Sequence, residues 1–399
     1  MTSDSNTVPR LDLSARLEAA IASGHPWIYK NHVPAGFAAP AGWVKVHSGQ
    51  RMAFAIWDPQ SQLALRIYSR DRLPDAAWLT QRVAAAAALR ADLVADGRTT
   101  ALRLINGEGD LLPGVVVDYY EGYAVIVLDS PALALLLPWL IDALTGLSVA
   151  GIQIRGIVQR RRGNAAGVEM EKIQQLWGKP LPPRLIVCEN GLRLRANLHS
   201  GQKTGLFLDH RDNRARIEAC SSGRRVLNLF AYSGAFSVYA ARGGASHVTS
   251  VDVAEAALDD ARENFRLNGF DPEAHEFVAQ DVFAYLEDPN NAQMFDLVIV
   301  DPPSFARRID QVKQAKKAYG RLFTLAAARV TEGGYLALGS CTARISPGEF
   351  HALAIQATQR AHTSLKIVAE TGHAVDHPVQ RAHPEGRYLK FILGQILRR

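Results

Sequence analysis

Cysteine is scarce in this 399-residue chain, with Cys188, Cys220 and Cys341 its only three. None lies in a C-x-x-C pair, which argues against a zinc site, and no metal is expected. An odd, sparse count in a long chain also argues against a disulfide framework. Each cysteine therefore starts as a small buried hydrophobe. Long apolar runs are missing too. The most apolar stretch, Leu133 to Leu144, is cut by Pro138 and Asp142 and is too short to span a bilayer. The polar start, Met1 to Arg10, has no apolar signal core, so a cytoplasmic protein without a membrane partner is expected. The chain holds no internal repeat and no low-complexity tract.

Charge is nearly balanced, with 45 Lys and Arg against 39 Asp and Glu, a net +6. That excess permits a nucleic-acid partner without requiring one. Its distribution says more. Arg155, Arg160, Arg161 and Arg162 form one cluster, and Arg211, Arg214 and Arg216 a second. Arg307, Arg308, Lys313, Lys316, Lys317 and Arg321 form a third. One cluster alone reads as a solvated face; three together shift the expectation toward phosphate contact.

Domains usually run about 100–200 residues, so two or three are expected. Short apolar runs at Trp43–Val46, Met52–Ile56 and Leu63–Tyr68, separated by turn residues, predict a small β-rich domain over residues 1–75. The Ala-, Leu- and Arg-rich stretch Ala76–Ala95 predicts a helix. It opens a mixed α+β domain over 76–198, with strands at Leu111–Asp118, Tyr123–Leu128 and Gly151–Gln159. A helix over Pro131–Leu147 is broken near Pro138, and Leu185–Leu198 forms a hairpin. Residues 199–399 alternate strand and helix, the mark of an α/β domain with a parallel, Rossmann-like sheet. Its strands are predicted at Arg225–Phe230, His247–Val251, Glu276–Ala279, Leu297–Val300 and Tyr335–Leu338.

Ligands of open parallel sheets bind beyond the carboxyl ends of the strands. Strand one is followed by Ala231-Tyr232-Ser233-Gly234, a small-residue turn. Strand two ends in Asp252, and strand three is followed by Asp281. Strand four ends in Asp301-Pro302-Pro303-Ser304-Phe305, and strand five in Ser340-Cys341-Thr342. One such aspartate is more often a helix cap than a ligand. The series suits S-adenosylmethionine (SAM). The glycine turn lets backbone approach the methionine part, one acid binds the ribose hydroxyls, and another accepts from the adenine amino group. A dinucleotide fingerprint G-x-G-x-x-G is absent after strand one, and no P-loop is present.

Asp301-Pro-Pro-Ser is similar to the fourth motif of methyltransferases that act on nucleic-acid bases. Two prolines stiffen the loop, so Asp301 and the loop carbonyls can be aimed at a flipped-out base. Enzymes that methylate exocyclic amines usually carry an aromatic residue directly after the second proline; here that position is Ser304. Cys341, where strand five meets the active edge, suits attack on carbon 6 of a pyrimidine. Carbon 5 then becomes nucleophilic toward a methyl group. Cys188 and Cys220 lie upstream of the sheet and are read as structural.

These residues resemble the ribosomal RNA large-subunit methyltransferase I family, which makes 5-methylcytosine in 23S rRNA. The resemblance spans nearly the whole chain. His25-Pro26-Trp27 is similar to its N-terminal PUA domain, an RNA-binding barrel, and Gly107–Asp118 to its middle domain. Gly201–Arg214, Asn228–Gly234, Asp301–Phe305, Ser340-Cys341-Thr342 and the ending Asp376-His377-Pro378 to Tyr388-Leu389-Lys390 complete it. The resemblance implies that Cys341 is the nucleophile and Asp301 its companion at the base or at the cofactor. It implies a cofactor shell of Lys203, Asp209, Arg211, Asn228, Phe230, Tyr232, Ser233, Gly234, Asp252, Asp281 and Asp301. RNA contact is expected from Arg155, Arg160, Arg161, Arg162, Arg307, Arg308 and Lys316, with 23S rRNA as partner, and a homodimer is compatible with the architecture. One departure is Cys188-Glu189-Asn190-Gly191, where Glu-Glu-His-Gly is expected. Another is Thr342-Ala343-Arg344 after the cysteine, where small residues are usual. Two other readings stay open. One is methylation of a purine or exocyclic amine with Cys341 structural. The other is an RNA-binding or ribosome-assembly module with vestigial catalysis.

Overall fold

A computed structural model describes residues 8–149, 151–161, 173–199, 204–306 and 308–398. Arg162, Lys203 and Arg307 lie outside the described residues. The chain forms two compact units. The first comprises Met1–Val187, Ala196–Leu206 and Asp376–Gly386; the second comprises Cys188–Arg195, Phe207–Val375 and Arg387–Arg399.

The first unit opens with β1 (Arg10–Asp12), α1 (Glu18–Ser23), β2 (Trp27–Tyr29), β3 (Gly42–Ser48), β4 (Arg51–Trp57) and β5 (Leu63–Ser69). These strands make a sheet in the order β1-β3-β4-β5-β2. Alternation turns Val44, Val46, Ala53, Ala55, Leu65 and Ile67 into one core. Helix α2 (Ala76–Leu89) follows, capped by the Asp75 carboxylate, which accepts from the Trp78 amide at 2.7 Å. The expected helix to Ala95 is broken at Arg90, and only the short α3 (Ala91–Val94) continues it. Arg90 is the C-cap of α2: its amide bonds Ala87 O, and its inward-turned guanidinium donates to Ala86 O, Arg103 O and Asp110.

A second sheet has the order β10-β9-β8-β7-β6, from β6 (Ala101–Asn106), β7 (Val115–Tyr120), β8 (Tyr123–Leu128), β9 (Gly156–Arg160) and β10 (Ile173–Gly178). The predicted strand at Leu111 begins four residues later, because Leu111 (φ 61°) and Gly114 (φ 77°) form a left-handed turn. The predicted strand at Gly151 begins at Gly156. The helix expected over Pro131–Leu147 is interrupted near Pro138: a 3-10 helix (Pro131–Leu136) gives way to α4 (Leu137–Thr145), and Pro138 lies in the first turn of α4, where its missing N–H costs nothing.

A hairpin, β11 (Leu185–Glu189) and β12 (Leu192–Ala196), then carries the chain toward α5 (Arg211–Ala219). In the second unit follow β13 (Arg225–Leu229), α6 (Ala235–Arg242), β14 (His247–Asp252), α7 (Glu255–Leu267), β15 (Glu276–Ala279), α8 (Val282–Glu287) and β16 (Phe295–Val300). The chain ends with α9 (Val312–Ala328), β17 (Val330–Ser340), α10 (Pro347–Arg360), β18 (Thr363–Thr371) and β19 (Lys390–Arg398). The seven strands lie in the order β15-β14-β13-β16-β17-β19-β18. Five are parallel, as predicted, and β19 runs antiparallel between β17 and β18. Apolar strands such as β16 are buried on both faces, against α9 and α10 on one side and α6 on the other. Among the described residues, no helix is long and apolar enough to cross a membrane.

Candidate active site

The turn after β13 is built from unusual backbone. Phe230 (φ 59°), Tyr232 (φ 49°) and Gly234 (φ 70°) all take left-handed conformations. Such geometry is costly for non-glycine residues and persists only where surroundings enforce it. Here they do. The Ala231 amide donates to Val251 O (3.0 Å), and the Tyr232 amide donates to Asp252 Oδ2 (2.8 Å). The Asn264 amide side chain donates to Ser233 O (2.8 Å). A Cβ on Gly234 would lie 2.6 Å from the Ala261 Cβ, so glycine is needed for helix α7 to pack close. The turn thus closes the carboxyl end of β13 with small, mostly buried residues.

Asp252 Oδ1 also accepts from the Ala254 amide (2.9 Å), so the carboxylate fixes turns on both sides of itself. Each oxygen keeps a further lone pair for another donor. Asp281 acts as the cap that its position suggested: Oδ1 accepts from the Ala284 amide (3.0 Å) and starts α8. Asn228 is buried inside the sheet, where its amide donates to Ser237 in α6 (2.9 Å). Ser237 in turn bonds Ser250 of β14 (2.7 Å), so Asn228 ties the sheet to the helix.

Asp301 leaves β16 half-buried, with Oδ1 3.2 Å from His210 Nε2. The Asn213 side-chain amide lies 3.1 Å from His210 Nδ1 and is a donor there, which leaves the ring proton on Nε2 for Asp301. His210 lies in a stretch quoted for its neighbours, yet it was not singled out in the sequence. Asp209 is buried beside it and accepts from the Tyr388 hydroxyl (2.7 Å). Arg211 is fully buried next to Asp212 (3.5 Å).

Cys341 is half-buried directly after β17. The next residue, Thr342, shares hydrogen bonds with Ser304 of the Asp-Pro-Pro-Ser loop (3.2 Å) and with Tyr319 of α9 (2.8 Å). The cysteine end of β17 and the loop after β16 are thereby one hydrogen-bonded assembly. Burial, opposed by hydrogen bonds to Ser340 and Thr342, pushes the Tyr319 phenol up to about 12. Tyr319 therefore stays a neutral hydroxyl. Sequence reasoning missed Tyr319 and the linking role of Thr342.

The basic clusters divide. Arg214 is buried, paired in parallel with Glu189 of β11 at 2.8 and 2.6 Å, and the Tyr239 hydroxyl donates to the same carboxylate (3.0 Å). With Arg211 buried as well, Arg216 is the one exposed member of the second cluster, so the three do not form a phosphate-binding face together. That corrects the reading from spacing, which could not see Glu189. It also explains why Cys188 is tolerated in the departing hairpin: the neighbouring acid is the one that pairs. Arg155 faces Glu121 (3.7 Å), Arg160 is half-buried on β9, and Arg161 donates to Gln174 (2.5 Å). Arg308 pairs with Asp310 (3.2 Å), and Lys316 with Glu349 (2.5 Å). Among the described residues, no group of three or more His, Cys, Asp or Glu could hold a metal ion.

A family model described as S-adenosylmethionine-dependent methyltransferase matches residues 131–382, and one described as PUA-like domain matches residues 11–70. A solved methyltransferase complexed with S-adenosylhomocysteine shares the fold at TM-score 0.86 and 23% identity, over 97% of this chain and all of that one. The class is therefore a SAM-dependent methyltransferase. A ribosomal RNA large subunit methyltransferase of Deinococcus radiodurans is 37% identical over 413 residues, 99% of this chain and 100% of that protein. The ribosomal RNA large subunit methyltransferase I of Photobacterium profundum is 34% identical over 385 residues, 94% of this chain and 96% of that protein. The chain belongs to the ribosomal RNA large subunit methyltransferase I family.

Proposed function

We propose that this chain methylates carbon 5 of a cytosine in 23S rRNA through a covalent adduct of Cys341. The observation that carries the reading is the coupling of Cys341 to the Asp-Pro-Pro-Ser loop through Thr342 and Ser304, on the edge that also holds the Phe230–Gly234 turn. The names of the relatives supply the rRNA of the large subunit as the substrate. SAM supplies an electrophilic methyl group and leaves as S-adenosylhomocysteine. It would be held by the turn Phe230, Tyr232, Ser233 and Gly234 and by Asp252, with Asp281 at the adenine end. Lys203, Asp209, Arg211 and Asn228 complete that assignment, the last three as buried supports.

In the first step the Cys341 thiolate adds to carbon 6 of the base, and the ring electrons move onto carbon 5. Carbon 5 then takes the methyl group. Loss of the carbon 5 proton restores the double bond and expels the thiolate. We assign that proton to Asp301, which His210 orients, or to a water on it. The chain would divide into a PUA-like RNA-binding part at 1–75, a middle part at 76–198 and the methyltransferase domain at 199–399. Arg155, Arg160, Arg161, Arg162, Arg307, Arg308 and Lys316 would meet RNA phosphates. Cys341→Ala should abolish methyl transfer while SAM binding, measured by calorimetry, is kept. Full activity in that variant, or methylated purine in place of 5-methylcytidine in nucleosides of treated rRNA, would overturn the proposal.

A further inference from the structure

The last strand begins with a buried cation. Lys390 opens β19, directly opposite Ser340 of β17 in the antiparallel register, and is only 4% exposed. Its ammonium donates to Thr342 O (2.7 Å) and to Tyr388 O (2.8 Å). Both acceptors are neutral carbonyls, whereas a buried ammonium normally needs a counter-charge. The groups whose negative charge would act on it are Cys341 and Glu349. Glu349 is already taken, by the Lys316 ammonium (2.5 Å) and by the Ser346 amide (2.8 Å). Around the same corner, Asp301 is engaged by His210 and the Tyr388 hydroxyl by Asp209, and Tyr319 is neutral. Cys341, the first of the two groups whose charge would raise Lys390, is the one whose ionisation would balance it.

We propose that Lys390 is a positioning residue that acts through Cys341: its ammonium, held behind the Cys341–Thr342 backbone, keeps the cysteine as a thiolate. A neighbouring cation favours the charged form of a thiol. The same charge would serve the reaction twice. It raises the thiolate fraction available to attack carbon 6, and it makes the sulfur a better leaving group when the adduct collapses. Burial alone brings the Lys390 ammonium down to about 8 in spite of the attraction of Cys341 and Glu349, so the cation persists at neutral pH.

The inference rests on Cys341 being the nucleophile for its purpose, but its test does not. Alkylation of Cys341 by iodoacetamide in the full chain, read by peptide mass spectrometry, is followed against pH. The variants are Lys390→Met, Lys390→Gln and Lys390→Arg. Glutamine keeps an N–H donor for Thr342 O but carries no charge, so it separates hydrogen bonding from electrostatics. In the Met and Gln variants the alkylation midpoint should rise by about one to three pH units. The rate at pH 7 should fall about tenfold or more, and Arg should recover part of it. SAM binding by calorimetry reports that each variant is folded. A wild-type midpoint in Lys390→Gln overturns the proposal, because hydrogen bonding would then suffice. Loss of methyl transfer in Cys341→Ala with unchanged midpoints in the Lys390 variants would keep the nucleophile and remove Lys390. Full transfer in Cys341→Ala, with raised midpoints, would leave the ion pair but strip it of its catalytic purpose.

Discussion

Arg90 in the first unit and Lys390 in the second are both cations withdrawn from water, and they are satisfied in opposite ways. Every donor of Arg90 is used: Nε on Arg103 O, Nη1 on Ala86 O and Asp110, Nη2 on Asp110 and Asp376 O, at 2.7 to 2.9 Å. Its charge is cancelled by a carboxylate that is itself 4% exposed. Among the described residues, Lys390 has two carbonyls and no bonded carboxylate. A fully matched charge fixes a structure, because nothing in it gains by changing. An incompletely matched one keeps free energy that a nearby group can use by ionising. In the first unit the same logic repeats at Asp118, which takes Arg103 (2.5 Å) and the Thr204 hydroxyl (2.5 Å). Buried charge there holds strands together; at the head of β19 it is held by the carbonyls of Thr342 and Tyr388.

The sharpest way to break the contrast is to remove each cation. Arg90→Met should cost about 3–5 kcal/mol in urea unfolding, because Asp110 is left charged and buried. A cost under about 1 kcal/mol would show that Arg90 is not the keystone. Next in size is Gly234→Ala, where a left-handed φ and the 2.6 Å approach to Ala261 both oppose a side chain. Strain of about 1–3 kcal/mol is expected, read as weaker SAM binding by calorimetry with the first unit's unfolding unchanged. Lys390→Met should leave stability at pH 7 within about 1 kcal/mol, since relief of a buried charge offsets two orphaned carbonyls. Its pH dependence is the finer readout. The folded-state pKa of Lys390, about 8, lies below its ordinary 10.5, so the unfolded chain binds more protons between those values. Wild-type stability should therefore climb from about pH 8 to about 10.5, and the variant should lack that climb. Smallest is Lys316→Ala. The Lys316 hydrogen bond, with those of Ser346, lowers Glu349 to about 2. This pair stabilises above about pH 4.5, and the contribution fades as pH falls toward 2. The variant should lose only a slight part of the acid limb, because the pair is largely exposed.

Much of the second unit was legible in the chain. Apolar runs of four to six residues followed by Asp252, Asp301 and Cys341 marked both the parallel strands and the edge where they end. Three positive-φ residues after β13 were not legible, since Phe230 and Tyr232 have no local reason to be left-handed. Their geometry is imposed by Asp252 and Val251 from the neighbouring strand. The Arg211 and Arg214 cluster misled for a related reason: one-dimensional spacing shows where cations fall, not whether Glu189 waits inside to meet them. Lys390 carried one available signal, a lysine heading the apolar run Phe391-Ile392-Leu393. Nothing local told that its head would turn inward.

The sequence by itself determined which segments become strands and helices and which residue types end each strand. It did so because periodicity and turn chemistry are properties of neighbouring residues. Tertiary structure alone decided which charges are spent and which are held ready. Arg90, Arg214 and Lys390, all basic, differ little as letters in a chain. They differ in what distant elements place within 3 Å of them, and that distance, with the exclusion of water, sets the charge state.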